Sequence, residues 1–226
     1  MPIHPSLLRQ FALLRNLPDE DAQSLALISQ TKEFAKRQVV FEKNRPALFL
    51  CFLLEGKLQA IDFTLDGKEV GIYFVNEGEY FGEIDMLDGV GQPEMIIAIK
   101  KSTVVMVPAQ AMKKVMFLLP AVMEGITRGL TQRIRRQSQQ QQLLAVNHPV
   151  QRIVLQLQSL AQPHAQLLQI VNVPTHQELA IMVNLTRETV TRAFQVLQAR
   201  GALLRDGDNL IIDSTKLQVP GERLPD

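Results

Sequence analysis

"VPTHQELAIMVNLTRETVTRAFQVLQARGALLRDGDNLIIDS", residues 173–214, is the stretch that decides the fold. Thr175 followed three residues later by Glu178 is a capping box, which fixes a helix start just after Pro174. That helix is short, with Leu179, Ala180 and Val183 facing inward. Asn184-Leu185 reads as a compact turn, because asparagine tolerates left-handed backbone. Thr186 caps a second helix that carries Val190, Ala193, Phe194 and Leu197 on one face and ends at Gly201. Ala180 is small where the two helices must cross closely. Leu203-Leu204-Arg205 and residues 209–212 flank Asp206-Gly207-Asp208, a hairpin signature. Two closely spaced helices followed by a hairpin form a winged helix-turn-helix.

The outward face of the second helix carries the chemistry. Arg187, Glu188, Thr189, Thr191 and Arg192 cluster in its first two turns, the part of a recognition helix that reaches base edges. Arginine can engage guanine bidentately, glutamate can accept from cytosine N4, and threonine can meet a phosphate or a thymine methyl. From 187 to 200 there are three arginines against one glutamate, a basic face on a chain whose formal net charge is only +1. DNA binding must therefore come from this local patch rather than from global attraction.

Upstream, the texture differs. Residues 5–14 read as a helix, and Pro18-Asp19-Glu20 opens another with acid at its start. Residues 38–41, 48–54, 57–63, 69–75 and 95–107 are β-like apolar runs separated by turn signals such as Asn44-Arg45-Pro46, Glu55-Gly56 and Asp66-Gly67. Short strands at regular spacing indicate an all-β barrel or roll. Residues 120–147 then form a long helix with Val122, Met123, Ile126, Leu130 and Ile134 on one face. A second copy of the chain is the economical cover for such a stripe. The glutamine run 137–142 weakens that seam locally. His148-Pro149 breaks the helix. The expected organisation is α+β: a β-roll of the double-stranded β-helix or jelly-roll kind over 1–119, a dimerisation helix over 120–147, and a winged helix-turn-helix over 148–226.

Composition narrows the function. At 226 residues, with 46% hydrophobic and 21% charged content, the chain has the makeup of a soluble globular protein. Arg9 and Arg15 interrupt the N-terminal apolar stretch and no apolar run could span a bilayer, so a cytoplasmic protein without membrane partners is expected. The single cysteine, Cys51, excludes an internal disulfide or a cluster held by several cysteines, and its apolar surroundings favour a buried core thiol. No histidine lies between Phe34 and Pro108, so a metal-dependent enzyme of the double-stranded β-helix type has no ligands, and His4, His148, His164 and His176 read as surface or capping residues. No catalytic residues, metal ligands or cofactor are expected.

"LTRETVTRAFQVLQARGAL" resembles the recognition helix of the Crp/Fnr family of bacterial transcription regulators. "LFLCFLLEGKLQAI" and "GKEVGIYFVNEGEYFGEIDML" resemble that family's β-roll with its Gly-Glu cassette, and the stretch from Pro120 resembles its dimer helix. The resemblance implies a homodimer on inverted-repeat double-stranded DNA, with RNA polymerase as a further partner. It implies base contacts by Arg187, Glu188 and Arg192, with Thr175 and Thr186 as caps near phosphates. It also implies an effector site at Gly82 and Glu83 of the roll and at Gln137 and Ser138 of the long helix.

One departure stands out in "GEYFGEIDMLDGVGQPEMI", residues 78–96. Cyclic-nucleotide-binding members place an arginine after the Gly-Glu pair to hold the phosphate; here that position is Glu94, or Pro93 with the loop shifted by one. A carboxylate facing a buried phosphate repels it. Three readings of the effector stay open: an unidentified small molecule other than cyclic AMP; cyclic AMP in a rearranged cassette that borrows Arg133, Arg135 or Arg136; or no effector, with Phe81, Met86 and Met95 filling the pocket.

Overall fold

The computed structural model describes residues 3–65, 67 and 69–217. Asp66 of the expected turn and the part of the expected DNA-binding segment beyond residue 217 lie outside the described residues. The chain divides into two compact units, one ending at Ile134 and the other starting at Arg135.

The first unit opens with α1 (Pro5–Leu8), a 3-10 turn (Ala12–Leu14) and α2 (Asp19–Ile28). The strands follow: β1 (Gln30–Phe34), β2 (Val39–Phe41), β3 (Phe49–Glu55), β4 (Leu58–Phe63), β5 (Glu69–Val75) and β6 (Tyr80–Phe81). After the short helix α3 (Glu83–Asp88) come β7 (Met95–Ala98), β8 (Ser102–Pro108) and the helix α4 (Ala109–Leu118). The strands build two four-stranded antiparallel sheets, ordered β1-β8-β3-β6 and β2-β7-β4-β5.

The continuous apolar text of β3 has a physical reason. Cys51 and Leu53 join Leu58, Ala60, Val75, Phe81, Ile96 and Ala98 in the core between the sheets. Leu50 and Phe52 face the other way and pack with Leu8, Phe11, Leu14, Leu25, Met112 and Val122. β8 repeats the pattern, with Val104 and Met106 on one side and Val105 and Val107 on the other. A strand buried on both faces shows no polar alternation.

The structure adds β6, α3 and β9, which the sequence reading did not contain, and departs from it in three further respects. The helix expected over 5–14 breaks after Leu8, letting Phe11 turn in to stack on Phe52 with ring centroids 4.7 Å apart. The single apolar run 95–107 is two strands, parted at residues 99–101. β1 had no apolar signature because only Phe34 of its residues is buried; it is a polar edge strand recruited by β8.

Asp85 of α3 is a buried clip. Its carboxylate accepts the Ala47 N–H on one oxygen and the Gly91 N–H, at 2.6 Å, on the other. The Asn44 N–H donates to Gln92 O at 2.8 Å and the Gln92 N–H to Arg45 O at 3.0 Å, so residues 44–47 are tied to the end of the cassette loop.

The long helix α5 (Pro120–Ala145) runs from the first unit into the second. The second unit continues with α6 (Pro149–Leu160), β9 (Gln162–His164), β10 (Leu167–Ile170), α7 (His176–Val183), α8 (Arg187–Ala199), β11 (Leu203–Asp206) and β12 (Asn209–Ile212). Its strands form one antiparallel sheet ordered β11-β12-β10-β9. Its core gathers Ile153 and Leu157 of α6, Leu179 and Val183 of α7, Val190, Phe194 and Leu197 of α8, and Leu203 and Ile212 of the hairpin.

Replacing Asp85 with alanine leaves two buried N–H groups without an acceptor. Asp85→Ala should destabilise the first unit by about 2–6 kcal/mol, at a penalty of ~1–3 kcal/mol for each unsatisfied group. Urea unfolding of the full chain measures it; an unchanged midpoint would show that water replaces the carboxylate.

Candidate functional site

α7 and α8 are set by local chemistry. The Thr175 hydroxyl accepts the Glu178 N–H at 3.2 Å while the Glu178 carboxylate accepts the Thr175 N–H at 2.8 Å, so the capping box is closed. Asn184 ends α7 in the left-handed region, and the Leu185 N–H donates to Ala180 O at 2.9 Å. Thr186 caps α8 by accepting the Thr189 N–H at 3.2 Å. The carbonyls at the C-terminus of α7 are met from outside the helix. Gln140 Nε2 donates to Met182 O at 2.5 Å, and Arg152 Nη1 donates to Val183 O at 3.0 Å while its Nε and Nη2 hold Val146 O. Gln140, read in the sequence as part of a soft helix seam, is thus spent on the end of α7.

Arg187, Glu188, Thr191 and Arg192 line one shallow surface concavity together with Gln195, which the sequence reading had not singled out. Thr189 turns aside and its hydroxyl lies 3.0 Å from that of Thr186. The Thr191 hydroxyl donates to Arg187 O at 2.9 Å and meets His176 Nδ1 at 3.0 Å, so what Thr191 has left to offer is its methyl group. Thr175 is similarly engaged, its hydroxyl donating to Glu178 at 3.1 Å. His176 also packs its ring on Phe194 at 4.5 Å, joining α7 to α8. Burial, with Arg205 and Arg187 nearby, holds its pKa below the ordinary value, so the ring is neutral at physiological pH. The wing is anchored by the Val173 N–H, which donates to Asp208 O at 2.9 Å.

The cassette in the first unit is a second cluster. Gly82 caps α3 at φ +93°, and a Cβ there would come within 2.9 Å of both Phe49 O and the Phe41 ring, so only glycine fits. Glu83 follows and is 3% exposed. Its partner comes from α5: Arg133 Nη1 lies 2.8 Å from Glu83 Oε1. Gly129, one turn earlier, makes this reach feasible, since a Cβ there would fall 2.0 Å from the Tyr80 hydroxyl. The Arg133 guanidinium also covers the Tyr73 ring at 4.6 Å, and the Tyr73 hydroxyl is 3.5 Å from Glu94 Oε2. Glu83 Oε2 has no hydrogen-bond partner among the described residues.

Burial raises the pKa of Glu83, with Arg133 opposing it; burial likewise raises that of Glu94, opposed by Arg133 and reinforced by Glu83. Burial pushes the Tyr80 hydroxyl up to about 12. Arg133 is ion-paired with Glu83, and Glu94 lies near enough for the same guanidinium to act on it. Arg133 was one of three arginines that the sequence offered for this place; Tyr73 and Tyr80 carried no signal beyond their apolar strands. Gln137 and Ser138 are exposed on α5. Cys51 is fully buried and its thiol pKa is strongly raised. Among the described residues no cluster of three or more His, Cys, Asp or Glu could hold a metal, and no helix is long and apolar enough to cross a membrane.

Comparisons with known proteins agree with this geometry. Residues 31–117 match the family model of the cyclic nucleotide-binding domain, and residues 151–219 that of the Crp-like helix-turn-helix domain. A CRP-like cAMP-activated global transcriptional regulator of Mycobacterium tuberculosis is 25% identical over 193 residues, covering 83% of this chain and 86% of its own. The solved structure of FixK2 from Bradyrhizobium japonicum superposes with a TM-score of 0.68 at 19% identity, covering 84% of this chain and 96% of that one. The c-di-GMP responsive global regulator CLP of Xanthomonas campestris superposes with a TM-score of 0.62 at 23% identity, covering 82% and 94%.

Arg133→Ala strands Glu83 in the interior without a countercharge. The first unit should lose about 3 kcal/mol near neutral pH. Because burial raises the folded-state pKa of Glu83, the folded protein takes up the proton before the unfolded chain does. The loss should shrink as pH falls from 7 toward the ordinary carboxylate value of 4.5. Urea midpoints at a series of pH values test this, and a loss that grows on acidification would contradict it.

Proposed function

The chain belongs to the Crp/Fnr family of transcription regulators, and on that premise we propose that it acts as a homodimer that reads inverted-repeat DNA and does not take cyclic AMP as its effector. The DNA-reading part of the proposal is carried by the surface of α8, where Arg187, Glu188, Thr191 and Arg192 converge on one concavity. Two chains paired along α5 would present two such helices to successive major grooves about 34 Å apart. Thr175 and Thr186, at the N-terminal ends of α7 and α8, would lie beside phosphates, where backbone N–H groups and the helix dipole favour an anion. In this scheme residues 1–119 are the sensor, 120–147 the pairing helix and 148–226 the DNA-binding segment. RNA polymerase is the further partner that the family resemblance implies.

The single observation that carries the effector part is the set of contacts around Arg133. A cyclic phosphate brings a negative charge and needs an unspent cation. The guanidinium beside the cassette is paired with Glu83 and covers Tyr73, and Glu94 contributes a second carboxylate to the same cluster. With all three ionised the cluster is already net negative, so the residues present do not fit a cyclic nucleotide phosphate. The presence of Arg133 beside Glu83 favours one second reading, in which the guanidinium leaves Tyr73 and takes up the phosphate itself.

Calorimetric titration of the full chain with cyclic AMP decides between the two. No saturable heat is expected, whereas tight binding that Arg133→Ala abolishes would establish the second reading. For DNA, selection from a random pool should return an inverted repeat. Arg187→Ala should cost about 1–3 kcal/mol and relax specificity at one base of each half-site. A uniform loss across all sequences would reassign Arg187 to a phosphate.

A further inference from the structure

The surface of α8 holds one more side chain equipped to read a base, and this inference rests on the DNA-binding reading above. At about 100° per residue, the buried Val190, Ala193, Phe194 and Leu197 define one side of the helix, and the opposite direction falls among Glu188, Gln195 and Arg192. Gln195 is thus at the middle of the outward face, not at its margin. It is exposed and lines the same concavity as Arg187, Glu188, Thr191 and Arg192.

Its neighbours are partly committed. The Thr191 hydroxyl is held by Arg187 O and His176, and Arg192 Nε reaches back to Glu188 O at 3.5 Å. The amide of Gln195 makes no hydrogen bond among the described residues. An unspent carboxamide offers a donor and an acceptor side by side, the pattern that adenine N7 and N6–H complement in the major groove.

We propose that Gln195 is a specificity-determining residue that selects an adenine in each half-site. It lies 8 residues beyond Arg187, which is about 12 Å along the helix axis. That distance corresponds to roughly three to four base pairs at ~3.4 Å each if the helix follows the groove. The selected A·T pair is therefore separate from the base met by Arg187, and Arg192 reads between them. His176 contributes by fixing Thr191, which keeps the middle of this face unobstructed.

The test is parallel selection of DNA from a random pool by the full-length protein and by Gln195→Ala, followed by titration of the recovered site. The wild type should return an inverted repeat containing an invariant A·T pair that Gln195→Ala no longer selects, with other positions unchanged. On the wild-type site Gln195→Ala should bind about 5- to 100-fold more weakly. Replacing the selected adenine by 7-deazaadenine should weaken the wild type and leave Gln195→Ala unaffected. Unaltered base preferences in Gln195→Ala would overturn the proposal, as would an equal loss on every sequence, which marks a phosphate contact. If the wild type itself recovers no sequence, it is the DNA-binding reading that fails.

Discussion

The ion pair between Glu83 and Arg133 is the constraint around which the first unit is arranged. Glu83 is nearly sealed from water, and a buried carboxylate is tolerable only beside a countercharge. The countercharge lies 50 residues away in sequence, on a helix that must approach closely enough to deliver it. Gly129 permits that approach by letting α5 lie against the Tyr80 hydroxyl, and Val122 and Ile126 seal the helix onto the shared core. Gly82 permits it from the other side, turning the chain so that α3 begins with Glu83 aimed inward. The cassette and the long helix are therefore one electrostatic assembly, and a change in either partner is felt by both.

That assembly also accounts for how a family frame can persist with altered chemistry. Glu94 enters a cluster that already holds one carboxylate, and the cost is met by the nearby guanidinium and the Tyr73 hydroxyl, with a raised pKa as the residue of the conflict. Structure around it is fixed independently: Asp85 ties the two flanking loops together through backbone N–H groups, whatever side chain stands at position 94. The roll is thus held by bonds that do not depend on the side chain at position 94.

How much could be read from the sequence follows the range of the interactions. The helix-turn-helix was legible almost residue by residue because its determinants are local: a capping box, an asparagine at the left-handed turn, a capping threonine and an apolar stripe all act within one or two turns. The β-roll was legible in outline, since β3 and β8 are apolar on both faces. β1 was not, because a polar edge strand is defined by its neighbour β8 and not by its own residues. Gly82-Glu83 and Glu94 stood out in the sequence as one stretch, yet which arginine answers them was left among three. Spacing along α5 does put Arg133 on the side of Val122 and Ile126, with Arg135 opposite; that this side meets Glu83 is decided by where the helix touches Tyr80. The roles of Gln140 and Arg152 at the end of α7 and of His176 on Thr191 likewise needed three dimensions.

Cys51 has a practical meaning of its own. It is the sole cysteine of the chain and sits between the two sheets with its thiol held protonated. Maleimides and other thiol reagents should pass the native protein by. The wild-type fold is therefore a ready background for site-specific labelling: one cysteine introduced at an exposed position, such as Leu204 on the wing, would carry a fluorophore or spin label as its only reactive thiol. The orientation of the helix-turn-helix domain could then be followed by distance measurements without first removing a native residue from the core.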